Sequence, residues 1–293
     1  MFALIGGGGY VGQVFQQQLR DTGRNFVVLS RRTVNYYDRD TLISHLKQQN
    51  VSFVINCAGY MGKPNVDACE KRKGECIEAN AVLPGIIRDA CEHLNLPFGH
   101  ISSGCIYAGD GPDGRGHSEN DPPNFCFRTN NCSFYSGCKA MAEEVLADAE
   151  QCFIWRIRIP FNSEDSPRNY LSKLLQYDRL LNVRNSLSNL DQFVASCLAS
   201  WDSRIDFGTY NLTNPGSVTT RDVAELLKQE GLTDKNFSFF DDESEFMTNA
   251  ASTPRSHCVL DSSRAITAGL PLMPVEDALI HTMRNWSSGP ICT

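Results

Sequence analysis

The sequence has no C-x-x-C pair, no uninterrupted apolar stretch long enough to span a bilayer, and no basic run longer than that of Glu70-Lys71-Arg72-Lys73. Each absence excludes something. Twelve cysteines scattered through 293 residues without close pairs do not form a disulfide framework, and reduced thiols in a cytosol are the better reading. Cys126, Cys132 and Cys138 are evenly spaced, yet zinc ligands come in tight pairs, so no metal is expected. A bilayer span needs about 20 apolar residues in a row. Positive charge is also short, with 27 Lys and Arg against 34 Asp and Glu, a net charge of -7. Broad binding to nucleic acid or to a membrane surface is therefore not expected, and an anionic ligand needs a local basic pocket. Met1 leads directly into Phe2-Ala3-Leu4-Ile5 without the basic and apolar segments of a secretory leader, so a cytoplasmic location is expected. Neither an internal repeat nor a low-complexity segment is present.

What is present reads as a compact chain. Hydrophobic residues make up 41% and charged residues 21%, near the averages for soluble globular proteins. The length suits a nucleotide domain with a smaller appended lobe. Phe2-Ile5, Phe26-Leu29, Phe53-Asn56, Phe98-Ser102 and Phe153-Ile157 are short apolar runs of strand type. Between them Val11-Leu19, Thr41-Gln49, Asn80-Leu94 and Tyr135-Asp148 have helical spacing. Strands alternating with helices predict an α/β fold, a Rossmann-like doubly wound parallel sheet with a smaller C-terminal substrate-binding lobe. The expected boundaries are 1-160 for the first domain and 161-293 mainly for the second, with a return to the sheet near 208-214.

Gly6, Gly9 and Gly12 follow the first strand and open the first helix, with Tyr10 and Val11 between them. Bare backbone there can approach a pyrophosphate, and the helix dipole favours its charge. Gly7 and Gly8 loosen this turn without removing a backbone donor. Cys57, Ala58 and Gly59 after the third strand, and Asn80, are further candidates to line a dinucleotide. At the end of the second strand Leu29-Ser30 runs into Arg31-Arg32, where an NAD site would carry an acid. Guanidinium groups suit a 2'-phosphate, so NADPH/NADP is the expected cofactor. A merely solvated arginine pair is the alternative.

Tyr135 and Lys139 form Tyr-x-x-x-Lys, which on a helix puts both side chains on one face. A lysine beside the phenol would lower its pKa, and the phenol can protonate the oxygen of a ketone that receives hydride. With Ser103 at a strand end to hydrogen-bond the same oxygen, the set resembles the Ser-Tyr-Lys triad of short-chain dehydrogenases/reductases.

Longer segments carry a more specific likeness. Gly62-Lys63-Pro64-Asn65-Val66-Asp67, Ser103-Gly104-Cys105-Ile106-Tyr107, Arg156-Ile157-Arg158-Ile159-Pro160 and Pro167-Arg168-Asn169-Tyr170-Leu171-Ser172-Lys173 resemble the plant-type bifunctional nucleotide-rhamnose synthase/epimerase-reductase. Asn185-Ser186-Leu187, Asn211-Leu212-Thr213-Asn214-Pro215-Gly216 and Pro254-Arg255-Ser256 continue it in order, so it covers nearly the whole chain. Kinship with dTDP-4-dehydrorhamnose reductase and GDP-fucose synthase follows.

The resemblance implies 3,5-epimerisation and 4-keto reduction of UDP-4-keto-6-deoxyglucose to UDP-L-rhamnose. Cys105 and Lys173 would be the epimerase acid/base pair, and Tyr135, Lys139 and Ser103 the reductase triad. Substrate contacts fall on Asn65, Asp67, Ser103, Arg158, Asn169, Asn185 and Arg255, with Arg255 toward the diphosphate. Taken alone, Cys105 is as well read as a small core residue and Lys173 as a solvated one. A reductase without epimerase activity, a non-catalytic dinucleotide-binding regulatory subunit, and a GDP-fucose-synthase-like specificity are the other readings. A homodimer and an upstream 4,6-dehydratase on another chain are expected partners. Residues Cys126-Asn131 look like extra sequence relative to the plant enzymes and lie near where substrate should approach.

Overall fold

A computed structural model describes residues 1-63 and 65-287, so Pro64 of the quoted Gly62-Asp67 stretch lies outside the described residues. Its centre is a sheet of six strands, all parallel: β1 (Phe2–Ile5), β2 (Phe26–Leu29), β3 (Phe53–Asn56), β4 (Phe98–Ser103), β5 (Cys152–Ile157) and β6 (Gly208–Asn211). Their spatial order is β2-β1-β3-β4-β5-β6, so the direction of winding reverses between β1 and β3. Ligands of such sheets lie outside the carboxyl ends of the strands at this reversal.

The short apolar runs become central strands because both of their faces are covered. Side chains alternate across a strand. Phe2 and Leu4 accordingly join one core with Phe15, Phe53, Trp155 and Phe193, while Ala3 and Ile5 join the other with Leu42, Leu46, Val54 and Ile87. Helices α1 (Tyr10–Asp21) and α2 (Arg39–Gln48) cover opposite faces. Helix α2 starts two residues before the expected Thr41 because Asp38 caps it, accepting the Thr41 amide at 2.8 Å. Two short helices, α3 (Asp67–Lys71) and α4 (Lys73–Ile77), precede α5 (Leu83–His93). The start of the long helix expected from Asn80 is instead a π-helical turn, Glu78–Val82. Helix α6 (Phe134–Val145) begins at Ser133, whose side chain accepts the Ser136 amide.

Beyond Pro160 a third core forms around Phe161, Leu171, Leu174, Leu187, Val223 and Leu279. Its strands are two-residue pairs, too short for a periodicity to announce them: Pro160–Phe161 with Ser188–Asn189, and Arg184–Asn185 with Val218–Thr219. The chain returns twice from this region to the first. Helix α8 (Leu190–Asp202), which follows α7 (Tyr170–Gln176), packs Leu190, Phe193, Val194 and Cys197 into the core beside α1. Strand β6 then closes the sheet alongside β5.

One buried ion pair anchors α6 to the sheet. Arg156 of β5 meets Glu143 bidentately, at 3.0 Å from Nε to Oε1 and 2.7 Å from Nη2 to Oε2. Ser102 of β4 donates to the same carboxylate at 2.5 Å, and the Arg156 guanidinium lies over the Tyr107 ring. This is the segment of α6 one turn past Lys139, so the pair sets the height of the helix over the end of β4. No helix among the described residues is long and apolar enough to cross a membrane.

Candidate active site

The glycine turn folds as a tight cradle between β1 and α1. Gly6 has φ +79°, and a Cβ on it would lie 2.5 Å from the Ala58 amide nitrogen. At Gly12 a Cβ would come within 2.6 Å of the Gly6 carbonyl. These two glycines are therefore demanded by the contact of turn, β3 loop and helix. Gly8, by contrast, has nothing within 4 Å of such a position, and Gly9 only the Gly6 carbonyl at 3.4 Å. The turn is closed on one side and open on the other. No side chain caps the first turn of α1 and no acid lies in it, which leaves backbone N–H groups for an anion. The residues present thus fit the pyrophosphate of a dinucleotide.

Several of the expected cofactor residues have internal partners. The Tyr10 hydroxyl donates to Asn162 Oδ1 at 2.8 Å, tying the turn to the start of the second lobe. Val11 packs against the first core. Asn80 is fully enclosed: its Nδ2 donates to the carbonyls of Tyr60 (2.7 Å) and Cys76 (3.0 Å), and its Oδ1 accepts the Tyr60 amide (3.1 Å). Its side chain shapes the Cys57-Ala58-Gly59-Tyr60 loop, which forms the other wall of the cradle. Cys57 anchors this loop through its amide on the Ile5 carbonyl at 2.8 Å. Arg31 and Arg32 are exposed in the turn after β2, on the same edge of the sheet.

Ser103 is the last residue of β4, and Cys105 follows in a single 3-10 turn, Gly104–Ile106. The Ser103 hydroxyl accepts the Cys105 amide at 3.2 Å and also faces the Tyr135 phenol and the Cys105 thiol. Tyr135, Ser103 and Cys105 thus meet at one point. Burial pushes the Tyr135 phenol well above its ordinary pKa, nearby thiols add to this, and Ser103 opposes it. The expectation that Lys139 lowers the phenol is corrected here. The Lys139 ammonium donates to the Ile101 carbonyl at 2.8 Å, and its own pKa is lowered by burial. A phenol that keeps its proton at neutral pH is what a general acid requires.

The second lobe contributes cationic groups. Lys173 lies on α7, half-buried, and burial followed by the charge of Arg168 lowers its pKa. Asn169 is not open to a ligand. It is wholly buried, caps α7 by accepting the Leu171 amide at 3.0 Å, and donates to the Asn162 and Glu164 carbonyls. Asn185 likewise accepts from Arg158 Nη2 at 2.6 Å and from the Cys258 amide at 3.1 Å. Asn169 also accepts the Lys173 amide on its carbonyl, and Asn185 holds the Arg158 guanidinium. The Asn65 side chain accepts the Asp67 amide at 2.9 Å, at the start of α3. Asp67 and Arg255 face each other, joined by bonds of 2.7 and 2.8 Å. This pair, with Thr253 Oγ1 on Glu70 at 2.9 Å, ties residues 253-255 to α3. Arg158 is buried with an Nε that has no partner.

The reading of motifs passed over two residues here. Arg168 donates to the Gly62 carbonyl at 3.0 Å and so closes the gap between the lobes; it stood inside a quoted segment. His257 has a buried Nε2 without a hydrogen bond, and burial, then Arg158 and Arg255, push its pKa down to about 4. A lone histidine after Pro-Arg-Ser carries no signal in sequence. Lys173 lies near the charge of Arg168, and Arg158 and Arg255 both lie near His257. Among the described residues no cluster of His, Cys, Asp or Glu could hold a metal ion.

Of the extra segment, Cys126 packs into the cluster of Cys105 and Tyr135, while Phe127 and Arg128 lie on the outside of α6. Phe127 lays its ring on Gly137, where a Cβ would meet it at 2.3 Å, and beside Phe134 with centroids 5.3 Å apart. Arg128 pairs with Glu144 at 2.8 Å.

Comparison with known proteins agrees with this architecture. The sequence model of the RmlD substrate binding domain matches residues 1–288. A bifunctional dTDP-4-dehydrorhamnose 3,5-epimerase/dTDP-4-dehydrorhamnose reductase of Arabidopsis thaliana is 30% identical over 95% of this chain and 91% of its own. A trifunctional UDP-glucose 4,6-dehydratase/UDP-4-keto-6-deoxy-D-glucose 3,5-epimerase/UDP-4-keto-L-rhamnose-reductase of the same plant is 32% identical over 83% of this chain, which spans only 36% of that protein. Among solved structures, the UDP-rhamnose synthase of Acanthamoeba polyphaga mimivirus superposes with a TM-score of 0.88 at 22% identity, over 97% of this chain and 99% of that one. The dTDP-4-dehydrorhamnose reductase of Bacillus anthracis, solved in complex with NADP, superposes at 0.80 with 17% identity, over 96% and 97%. The chain belongs to the RmlD substrate binding domain family and is an oxidoreductase.

Proposed function

We propose that this oxidoreductase converts UDP-4-keto-6-deoxy-D-glucose to UDP-L-rhamnose, epimerising C3 and C5 and then reducing C4 with NADPH. The observation that carries the reading is the packing of Tyr135 against Cys105, whose amide is fastened to the Ser103 hydroxyl at the end of β4. A C4 ketone acidifies the hydrogens on both C3 and C5. A base takes each proton to leave an enolate, and an acid returns one to the opposite face. Cys105 and Lys173 are assigned to these transfers, while Ser103 and Tyr135 hydrogen-bond the oxygen that carries the charge. Bound NADPH supplies the hydride for C4. Tyr135 gives its proton to O4, and Lys139 holds its position on the Ile101 carbonyl. Arg158, Arg255 and Arg168 offer charge to the diphosphate, and Arg255 must then leave Asp67. The names of the relatives support this substrate class, and a 4,6-dehydratase has to supply the keto-sugar. A homodimer in the cytoplasm is the expected setting.

The test is incubation with UDP-4-keto-6-deoxyglucose and NADPH in heavy water. UDP-rhamnose carrying deuterium at C3 and C5, with both labels lost in Cys105→Ala and Lys173→Met, is the expected result. The enclosure of Cys105, which raises its thiol pKa, favours the second reading, a reductase alone. In that case NADPH is consumed without deuterium at either carbon.

The choice of dinucleotide has its own prediction. Arg31 and Arg32 are exposed and free of salt bridges among the described residues, so they can take a 2'-phosphate. The double variant Arg31→Ala/Arg32→Ala should lower the preference for NADPH over NADH on the order of tenfold or more, the loss of a charge-assisted contact. Steady-state kinetics with both dinucleotides would show this. An unaltered preference would mean that the arginines are merely solvated.

A further inference from the structure

The first turn of the triad helix is held by a residue from outside its own segment. A helix begins with backbone N–H groups that find no partner within it, and Phe134 is the first residue of α6, immediately before Tyr135. Its amide donates to Glu70 Oε1 of α3, 64 residues earlier, at 2.7 Å. Ser133 caps the same turn locally by accepting the Ser136 amide at 3.2 Å. The same Glu70 oxygen also accepts the hydroxyl of buried Thr253 at 2.9 Å. Thr253 is fastened in turn to Arg255, whose Nη1 donates to the Thr253 carbonyl at 3.1 Å and to Asp67 Oδ1 at 2.7 Å. Asp67 and Glu70 stand three residues apart on α3, so they share a face and the contacts close a ring. Pro254 stiffens the link between Thr253 and Arg255, because it fixes its own φ and restricts the residue before it. Beyond Arg255 the chain is held again, by the Ser256 hydroxyl on the Tyr107 carbonyl at 2.6 Å and by the Gly109 amide on the His257 carbonyl at 2.8 Å.

We propose that Glu70 is a positioning residue for the reduction: it fixes the start of α6, and with it the direction of the Tyr135 phenol, and Thr253 holds it to that task. This rests on the reading of Tyr135 as the proton donor to O4. A carboxylate at the first turn is favoured by the helix dipole as well as by the Phe134 amide. The Phe134 ring is confined too, packed with Tyr135 against the thiols of Cys69, Cys76 and Cys138, with the Lys73 ammonium 5.1 Å from its centroid. Glu70 transfers no proton in this role and acts through the backbone of α6. The segment that carries Arg255, assigned above to the diphosphate, and the helix that carries the acid therefore share one carboxylate oxygen. Substrate recognition and proton donation are joined there.

The test is single-turnover NADPH oxidation by the full chain at saturating UDP-linked 4-keto sugar. Glu70→Ala should slow hydride transfer on the order of tenfold to a hundredfold, the cost of misplacing a reacting group. Glu70→Gln keeps an oxygen that can accept both bonds, so it should recover most of the rate. Thr253→Val preserves the shape of the side chain and removes one bond. Its rate should fall between those of Glu70→Ala and the wild type, and Thr253→Ser should restore it. A general loosening of the fold would slow the reaction with or without the phenol, so Glu70→Ala is repeated beside Tyr135→Phe. In that background it should cost about twofold at most, because a residue that acts through Tyr135 has nothing left to position. Equal losses in the two backgrounds, or a wild-type rate in Glu70→Ala, would overturn the proposal. A wild-type rate in Tyr135→Phe is a separate failure: it removes the proton donor itself, and this role for Glu70 falls with it.

Discussion

Replacing Tyr135 by phenylalanine is expected to slow keto reduction by roughly two to four orders of magnitude, the usual contribution of a positioned proton donor. The ring of Tyr135 packs against the buried thiols of Cys69, Cys76 and Cys138 and against the core around Cys105. Phenylalanine keeps those contacts, so thermal unfolding should change little. What disappears is the proton for O4. Burial holds the phenol well above its ordinary pKa, so the acid stays loaded throughout the neutral range and its own ionisation should not limit the rate there. Single-turnover NADPH oxidation with an epimerised 4-keto substrate isolates this step. Rates close to wild type would remove Tyr135 from the chemistry and favour a regulatory dinucleotide-binding protein.

Arg156→Met should produce the largest loss of stability. It strips the partner from Glu143, 10% exposed at its side chain and bonded also by Ser102. An uncompensated buried charge of this kind costs roughly 3–5 kcal/mol, and a fall in Tm on the order of 10 °C follows for a chain of this size. The double variant Arg156→Met/Glu143→Leu should recover more than half of that, because two apolar side chains leave no charge to be desolvated. Calorimetry on the three proteins distinguishes these outcomes. Equal losses in the single and double variants would show that Ser102, Asn211 and the Tyr107 ring, rather than the unpaired charge, set the cost. Helix α6 carries Tyr135 and Lys139, so the single variant should also lose reductase activity below its own Tm.

Much of the architecture was legible in the linear pattern because it depends on near neighbours. Phe2–Ile5 and Phe53–Asn56 are apolar on both faces, as central parallel strands must be. Gly6 and Gly12 are glycines because a turn this tight admits no Cβ. Tyr135 and Lys139 share a helical face by their spacing alone. Helix starts shifted by two residues and by one where a cap took over, at Asp38 and at Ser133. The two-residue strands beyond Pro160 carry no periodicity long enough to read.

The site was legible as a set of residue types, while the hydrogen-bond partners of those residues were not. Asn80 and Asn169 are polar residues one expects to meet a ligand, yet both bond through side-chain oxygen and nitrogen inside the protein. An amide offers both donors and an acceptor, so burial obliges it to find several partners. Only the folded chain reveals whether those partners are a ligand or backbone. The same holds for Asp67 and Arg255, separated by most of the sequence and joined in space.

By itself the sequence determined the sheet, the dinucleotide turn and the spacing of the triad, because steric demands at glycines and the periods of strand and helix act within a few residues. Tertiary structure decided which polar groups are available. It placed Lys139 on the Ile101 carbonyl, put Arg255 on Asp67, and divided the extra segment between the Cys105 cluster, which takes Cys126, and the outside of α6. These outcomes depend on burial and on partners far away in the chain, and desolvation acts on a group only once the surrounding protein has excluded water.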